Sequence, residues 1–510
     1  KIINENEFKT KITGLVSFYN EVSDPNEQLF PDKIIADDDE TTVTMSDYQF
    51  IHYSEDRIKE RKLEKISKSK ASTASNNQNN SSFNNLFKVF TRQKGLFVFP
   101  PHIKRPYPIK QAFKIMSTTD KYKKLFSKLK EIIKEKKTLE QFTNYIHNDE
   151  NKEELLELID SDQDQDEIKL DKYIADKLEK FNGLDFNLFN QTHTTDEEEE
   201  VEKTYEEMLL KAIDALDTNE LTIHNNPNYF SLLDLSPKYV KMLSNIDNSN
   251  GLVFIYSQFR SVEGLAIFSK VLKYNGYSEL TDSQISVGKK VRKLNFTIND
   301  PSFTFEVLNI EGTNATIKNI KTDDTEIVSI KDISLCKFAL WTGTESIEER
   351  KRILSIYINK TNIFGNDCLI LMTTQSGAEG INLKYVRQVH VMEPYWNNVR
   401  IDQVIGRARR IESHSDLPPS ERNVKIFIYK ITYSSSQRNT DILSSSEMNT
   451  YKKYLSALSN ETMEDQSALI KSKLTDFKKG VHLDKNETSD ETLDIISTNK
   501  EIILKQFLTI

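Results

Sequence analysis

In the stretch Gln403-Val-Ile-Gly406-Arg407-Ala-Arg409-Arg410, three hydrogen-bonding side chains recur at i, i+4 and i+7 around a glycine. On a helix that spacing places Gln403, Arg407 and Arg410 on one face. Gly406 carries no side chain, so a bulky ligand or a facing domain can come close to the backbone there. The target that suits such a face is a polyphosphate. Guanidinium groups stay protonated, grip phosphate oxygens bidentately and stabilise charge on a transferring γ-phosphate. The same octet also suits a solvated helix face or a nonspecific phosphate contact, and taken alone it leaves both readings open.

The segments upstream must position these side chains. Asp367-Cys-Leu-Ile-Leu-Met372 is a continuous apolar run of the kind shown by a strand buried in a parallel sheet. Thr373-Thr-Gln-Ser-Gly-Ala-Glu-Gly-Ile-Asn-Leu383 follows, with Gly377 and Gly380 marking a corner where backbone folds tightly or approaches a ligand. A second apolar run, Gln388-Val-His-Val-Met392, leads through Glu393-Pro-Tyr-Trp-Asn397 into the arginine segment. Strand, glycine loop, strand, helix is the order of an α/β domain that handles nucleotides.

On these residues the segment 367–413 resembles the C-terminal motor domain of superfamily 2 helicases and translocases. Thr374 to Leu383 is similar to their motif V and Gln403 to Arg410 to their motif VI. The tail Glu412-Ser-His-Ser-Asp-Leu-Pro-Pro-Ser-Glu-Arg-Asn-Val-Lys-Ile-Phe-Ile-Tyr429 resembles helicases of nucleocytoplasmic large DNA viruses. These include the small subunit of the poxvirus early transcription factor, the poxvirus nucleoside triphosphate phosphohydrolase and giant-virus relatives. Gly251-Leu-Val-Phe-Ile-Tyr-Ser-Gln-Phe259 is similar to the family's motif IV strand, and Phe338-Ala-Leu-Trp-Thr-Gly-Thr344 to its next block. Ile12 to Tyr19, Met45 to Phe50 and Phe97 to Pro106 look like the region that follows motif III.

The resemblance implies a RecA-like parallel-sheet lobe, the second of a two-lobed motor. ATP with Mg²⁺ would sit between this lobe and a first lobe. Arg407 and Arg410 are then the catalytic arginines, and Gln403, Glu379 and Gly380 line the ATP cleft. Ser257, Gln258, Thr342, Gly343, Thr374 and Gln375 are the implied nucleic-acid contacts, since hydroxyls, amides and loop N–H groups at strand ends bond backbone phosphates without reading bases. Each is also an ordinary turn or cap residue. Trp396 and Tyr395 suit base stacking or packing on the lobe, and Asn398 stands where family members often have proline. The implied partners are the first lobe, double-stranded DNA and a viral RNA polymerase or transcription factor subunit, in a virion core or the host cytoplasm. A noncatalytic DNA- or polymerase-binding scaffold with a helicase-like lobe is the competing expectation.

A complete motor of this class needs a G-x-x-x-x-G-K-[ST] loop and an acidic pair at a strand end for magnesium. The pair Gly288-Lys289 lacks the upstream glycine and the Ser/Thr, and the acidic runs Asp37-Asp-Asp-Glu40 and Glu197-Glu-Glu-Glu200 have no apolar strand before them and read as solvated loops. The chain begins at Lys1 without methionine. It is therefore expected to be the second half of a longer polypeptide or one product of a split one, and no metal ligands are assigned within it.

A length of 510 residues suits two to four domains. The net charge of −9 is uneven: residues 149–220 hold 25 acidic against 7 basic residues, a local balance of −18 that leaves +9 for the remainder. Local charge governs phosphate binding more than the sum over the molecule, so the acidic block reads as a solvated arm turned away from nucleic acid. Cys336 and Cys368 lack C-x-x-C spacing and sit in apolar runs, as buried free thiols of a reducing compartment do. No signal-like start and no apolar span of about 18 residues appear, which argues against secretion and membrane insertion.

Four sections are expected: a connector over 1–110 with a disordered run near 62–85, an acidic helical arm over 111–235, the motor lobe over 236–440, and a polar helical extension over 441–510. Within the lobe, residues 283–335 break into short alternating segments between Gly, Asn and Asp turns, the pattern of a small antiparallel barrel.

Overall fold

The computed structural model describes residues 30–57, 60, 89–103, 105–106, 207–224, 228–261, 263–294, 304–343, 345–378, 380–438 and 487–508. They fall into two compact units, Lys1–Pro100 together with Thr218–Ile510, and Pro101–Asp217. Most of the expected acidic arm and the run near 62–85 lie outside the described residues. In the second unit a helix over 207–214 buries Leu209, Ala212 and Ile213 at helical spacing. Residues 218–235 belong to the first unit, so they fall outside the unit that holds the rest of the expected arm.

The described strands are β1 (Asp32–Ile35), β2 (Thr42–Thr44), β3 (Leu252–Tyr256), β4 (Ser278–Glu279), β5 (Lys290–Lys293), β6 (Phe305–Glu311) and β7 (Asn314–Asn319). They continue with β8 (Thr325–Ser329), β9 (Ile333–Leu335), β10 (Lys337–Trp341), β11 (Ile370–Thr373), β12 (Val386–Val391), β13 (Asn423–Ile428) and β14 (Lys430–Thr432). Helices used below are α1 (Val89–Leu96), α2 (Pro237–Asp247), α3 (Leu265–Tyr274), α4 (Ile347–Tyr357), α5 (Gln375–Ala378), α6 (Asn398–Ala408) and α7 (Ser489–Leu508).

Seven strands form one sheet in the order β1-β13-β12-β3-β11-β10-β4, and every pairing in it is parallel. β3, β11 and β12 are buried at every residue, as a strand covered on both faces requires. Leu252, Phe254 and Tyr256 point to one face, where they join Ile353 and Tyr357 of α4 and Ile401, Val404, Ile405 and Ala408 of α6 in a single core. Val253 and Ile255 alternate to the other face and are fully buried. On α2, Ser236 caps Tyr239 N and Pro237 fills the first helical position, where its missing N–H costs nothing. Its Tyr239 packs on Phe268 of α3 with ring centroids 4.9 Å apart. This is the expected parallel-sheet α/β lobe.

The described residues 30–57 and 89–100 of the expected connector belong to the same unit as that lobe. β1 pairs with β13 and β2 pairs with β14, both in parallel, and a helix over 47–57 buries Phe50 and Tyr53 against Ile431 and Tyr433. The acidic run at 37–40 is not a free loop either. Asp38–Thr41 is one helical turn whose Glu40 pairs with Lys425 at 2.6 Å, and that ammonium holds the Glu40 carboxyl below its usual range despite partial burial.

The insertion is a five-stranded antiparallel sheet in the order β8-β7-β6-β5-β9, with its own core of Val291, Phe305, Val307, Ala315, Ile317, Ile333 and Leu335. The barrel-like alternation is there, but the outer strands are β8 and β9, with no pairing between them among the described residues. Fully buried Arg292 donates to Phe364 O at 2.6 Å and Ser249 O at 2.8 Å, and Lys290 reaches Asp247 at 2.5 Å, so β5 is fastened to the lobe by its own side chains. Cys336 and Cys368 are free and buried, and burial pushes their thiols up to about 11 and about 12. Among the described residues, no helix is long and apolar enough to cross a membrane.

Candidate functional site

Parallel strands bring their carboxyl ends to one edge, and in sheets of this kind ligands bind there. Tyr256 pairs with Thr373 and with Val391, and Trp341 pairs with Thr373, so the residues that follow β12, β3, β11 and β10 stand side by side. The expected contacts Ser257–Gln258, Thr374–Gln375 and Thr342–Gly343 are therefore neighbours along one rim. Gln375 and Gly343 are exposed, and Gln258 is half-buried.

Two of the hydroxyls in that set turn inward, which corrects the expectation that they face a phosphate. Ser257 is fully buried, and its Oγ donates to both carboxylate oxygens of Glu393 at 3.0 and 3.2 Å. Thr342 is 1% exposed and donates to Glu345 at 3.0 Å from its hydroxyl and 2.5 Å from its amide. Thr374 is buried, and its carbonyl accepts from Ala378 N. These residues shape the rim, while their neighbours present it. Gly377 is required for that shape: a Cβ there would lie 2.3 Å from both Thr373 Oγ1 and Trp341 O, so α5 could not sit on the ends of β10 and β11.

Glu393, one residue past the β12–Met392 run, is the centre of the rim. Its Oε1 accepts from Gln258 N at 2.6 Å, and Ser257 Oγ in turn accepts from Phe259 N at 3.1 Å. Burial pushes its carboxyl up to about 7, against the opposing pull of Arg92, the Gln258 amide and Lys238. Arg92 comes from α1, bonds Pro394 O at 3.2 Å and lies 5.2 Å over the Phe259 ring. Lys238 comes from α2 and bonds Met392 O at 3.2 Å and Asp490 at 2.7 Å. Sequence reasoning missed all three. A carboxylate directly after a buried strand was a usable signal for Glu393, whereas nothing in the sequence near Arg92 or Lys238 marks them.

The arginine helix is α6. Asn397 caps it by accepting from Val399 N at 3.0 Å, and Ile401, Val404, Ile405 and Ala408 form its buried stripe. Gln403 lies exposed and Arg407 half-exposed off that stripe, and a Cβ on Gly406 would meet no atom within 4 Å, so this side of the helix opens onto free space. The loop carrying Gly380, which is exposed in a turn at φ +80, returns to the helix through Leu383 N donating to Arg407 O at 3.1 Å. Glu379 lies outside the described residues. The shared face does not extend to Arg410. The helix ends at Ala408, Arg409 leaves helical geometry, and Arg410 sits exposed beyond the end with its amide donating to Ser413 Oγ at 3.3 Å. Arg409 is a structural residue: it donates to Pro31 O at 2.7 Å and lies 5.5 Å over Phe30, holding the start of β1.

Asn398, in the place where proline was expected, donates to Glu501 of α7 at 2.9 Å, and Lys500 sits 4.0 Å over the Trp396 ring. The described part of the C-terminal extension thus packs back on the lobe beside the entry to α6. Tyr395 stacks under Arg400 at 4.3 Å. Among the described residues, no group of three or more His, Cys, Asp or Glu could hold a metal ion.

Residues 313–412 match the helicase conserved C-terminal domain family. The chain is 36% identical over 194 residues to a termination factor NPH-I homolog of African swine fever virus, a match that covers 38% of this chain and 26% of that protein. It is 27% identical over 224 residues to a putative ATP-dependent RNA helicase of Acanthamoeba polyphaga mimivirus, covering 44% of this chain and 30% of the relative. It is also 24% identical over 223 residues to nucleoside triphosphatase I of Heliothis armigera entomopoxvirus, covering 44% and 25%. The chain is thus similar over residues 313–412 to helicase C-terminal domains, and over 194 to 224 residues to these three viral proteins. It spans about a quarter of the length of the relatives named here.

Proposed function

We propose that this chain is the second motor lobe of an ATP-dependent translocase that tracks double-stranded DNA during viral transcription. The observation that carries the reading is the open side of α6. It offers Gln403 and Arg407 to a facing surface with free space at Gly406, on a helix tied to the glycine loop through Arg407 O. Those residues fit a polyphosphate held from the other side: the guanidinium of Arg407 would reach the γ-phosphate region, Gln403 would sense the nucleotide, and Arg410 would join from beyond the helix end. Bound ATP with Mg²⁺ supplies the phosphoryl group and the charge that these side chains offset, with the phosphate loop and metal carboxylates contributed by a first lobe. Opening and closing of the cleft would move the carboxyl rim along the phosphate backbone through Gln258, Gly343 and Gln375. The name of the African swine fever virus relative, a termination factor homolog, supports a role in transcription, where the partner would be a polymerase or transcription factor subunit in a virion core or the host cytoplasm.

Residues 1–510 alone then bind duplex DNA but turn over ATP negligibly, because the arginines have no positioned substrate. Fluorescence titration with a labelled duplex and a steady-state phosphate-release assay test both halves. Sustained turnover by the purified chain, or no DNA binding at low salt, would overturn the proposal.

A further inference from the structure

The corner after β3 is built more rigidly than a surface loop needs to be. Glu393 holds its start through Ser257 and Gln258 N. Its end is held by Tyr239, whose hydroxyl donates to Glu263 O and, at 3.2 Å, to Gly264 O. Leu265 N and Ala266 N donate back to Phe259 O and Arg260 O at 3.0 Å each. A Cβ on Gly264 would lie 1.7 Å from Phe259 O, so the two sides of the corner close on each other as only glycine permits. Below it, the Arg92 guanidinium covers the Phe259 ring. What this frame displays is Arg260, exposed at the carboxyl rim, next to Gln258 and Ser261.

Resting on the reading of this rim as a nucleic-acid surface, we propose that Arg260 is a phosphate-contacting residue of the lobe and that buried Glu393 is the positioning residue that aims it. The cation sits three residues beyond the Ser257 hydroxyl that turns inward. It therefore supplies from the same corner the phosphate contact that Ser257 cannot make. A fixed backbone lets a long side chain bind with less conformational freedom to lose. The geometry needs an acceptor at position 393 opposite Gln258 N; it does not need a full negative charge.

The test is duplex DNA binding by the 510-residue chain across a salt series, with hydrogen exchange of the corner amides as a second readout. Removing one phosphate contact lowers the slope of log K against log salt by about 0.9, which is roughly fivefold in affinity at 0.15 M if the lines meet near 1 M. Arg260→Ala should show that change with an unaltered melting temperature. Glu393→Ala should show a similar loss together with faster exchange at Gln258 and Phe259. Glu393→Gln, which keeps the acceptor, should restore both, and the double variant Arg260→Ala/Glu393→Ala should be no worse than Arg260→Ala. A wild-type slope retained in Arg260→Ala overturns the assignment of Arg260 while leaving the wider reading of the rim intact. Exchange unchanged in Glu393→Ala overturns the positioning role. Absence of DNA binding by every form, wild type included, overturns the rim reading and this inference together.

Discussion

Replacing Lys238 by methionine isolates the contribution of the most deeply placed charge pair. Lys238 and Asp490 are both fully buried, 2.7 Å apart, and they join α2 to the first turn of α7. Lys238 also donates to Met392 O, and Asp490 Oδ2 also accepts from Ile431 N at 3.1 Å, while Asp490 Oδ1 has no hydrogen-bond partner. Lys238→Met keeps most of the aliphatic volume and removes the ammonium, leaving a buried carboxylate with one amide donor and the Met392 carbonyl with none from this source. Breaking a buried pair on one side costs about 3–5 kcal/mol, because the partner's charge stays buried without compensation. Replacing both partners by neutral groups is far milder, so Lys238→Met/Asp490→Asn should recover to within about 2 kcal/mol of wild type, its Asn oxygen still facing Ile431 N. Urea unfolding followed by tryptophan fluorescence reads this directly, since Trp396 lies under Lys500 of α7. A single-variant cost below about 1 kcal/mol, or a double variant no better than the single, would refute this account of the pair.

Joining Lys293 directly to Ile333 through an Asn-Gly turn should leave the lobe folded, because those residues are already antiparallel partners; excising 283–335 instead should abolish the cooperative melt, since it also removes Arg292 and Lys290. Glu393→Gln should make stability less dependent on pH. The folded carboxyl titrates near 7, above its value of 4.5, so wild type loses on the order of 3 kcal/mol as pH rises from about 4.5 through 7, and the glutamine form should not. Matching pH profiles of melting temperature in the two forms would count against the burial cause. In a complete two-lobed protein, Arg407→Ala should cut ATP turnover by about 10³- to 10⁵-fold with DNA affinity nearly unchanged. Arg409→Ala should instead lower the melting temperature, because it releases Pro31 O; a normal rate in the first or an unshifted melt in the second would contradict the roles given to them.

The parts of the fold legible in the sequence were those with local signals. β3, β11 and β12 are apolar runs, Gly377 sits at a tight corner, and the spacing of Gln403 and Arg407 places a helix where α6 stands. The rim residues were found as a set because each follows a strand end. Their side-chain directions were not legible, because whether a serine faces out or in depends on a carboxylate 136 residues away. The same limit hid β1, whose sequence Asp-Lys-Ile-Ile is exposed along its length and becomes a strand only by pairing with β13. Arg410 was misplaced because periodicity continues on paper past the residue where the backbone turns out of the helix.

The parallel pairing of β1 with β13 also sets an order of events for a chain emerging from a ribosome. Asp32 is made long before its register partner Asn423, and Thr42 waits likewise for Lys430. At about 5–20 residues per second, the 391 positions between Asp32 and Asn423 correspond to roughly 20–80 s of synthesis during which β1 has no strand to join. Ile34 and Ile35, exposed even in the finished lobe, are open to other strands through that interval. Slowing synthesis between the two strands should therefore raise aggregation of the nascent chain, and lysines at Ile34 and Ile35 should suppress it.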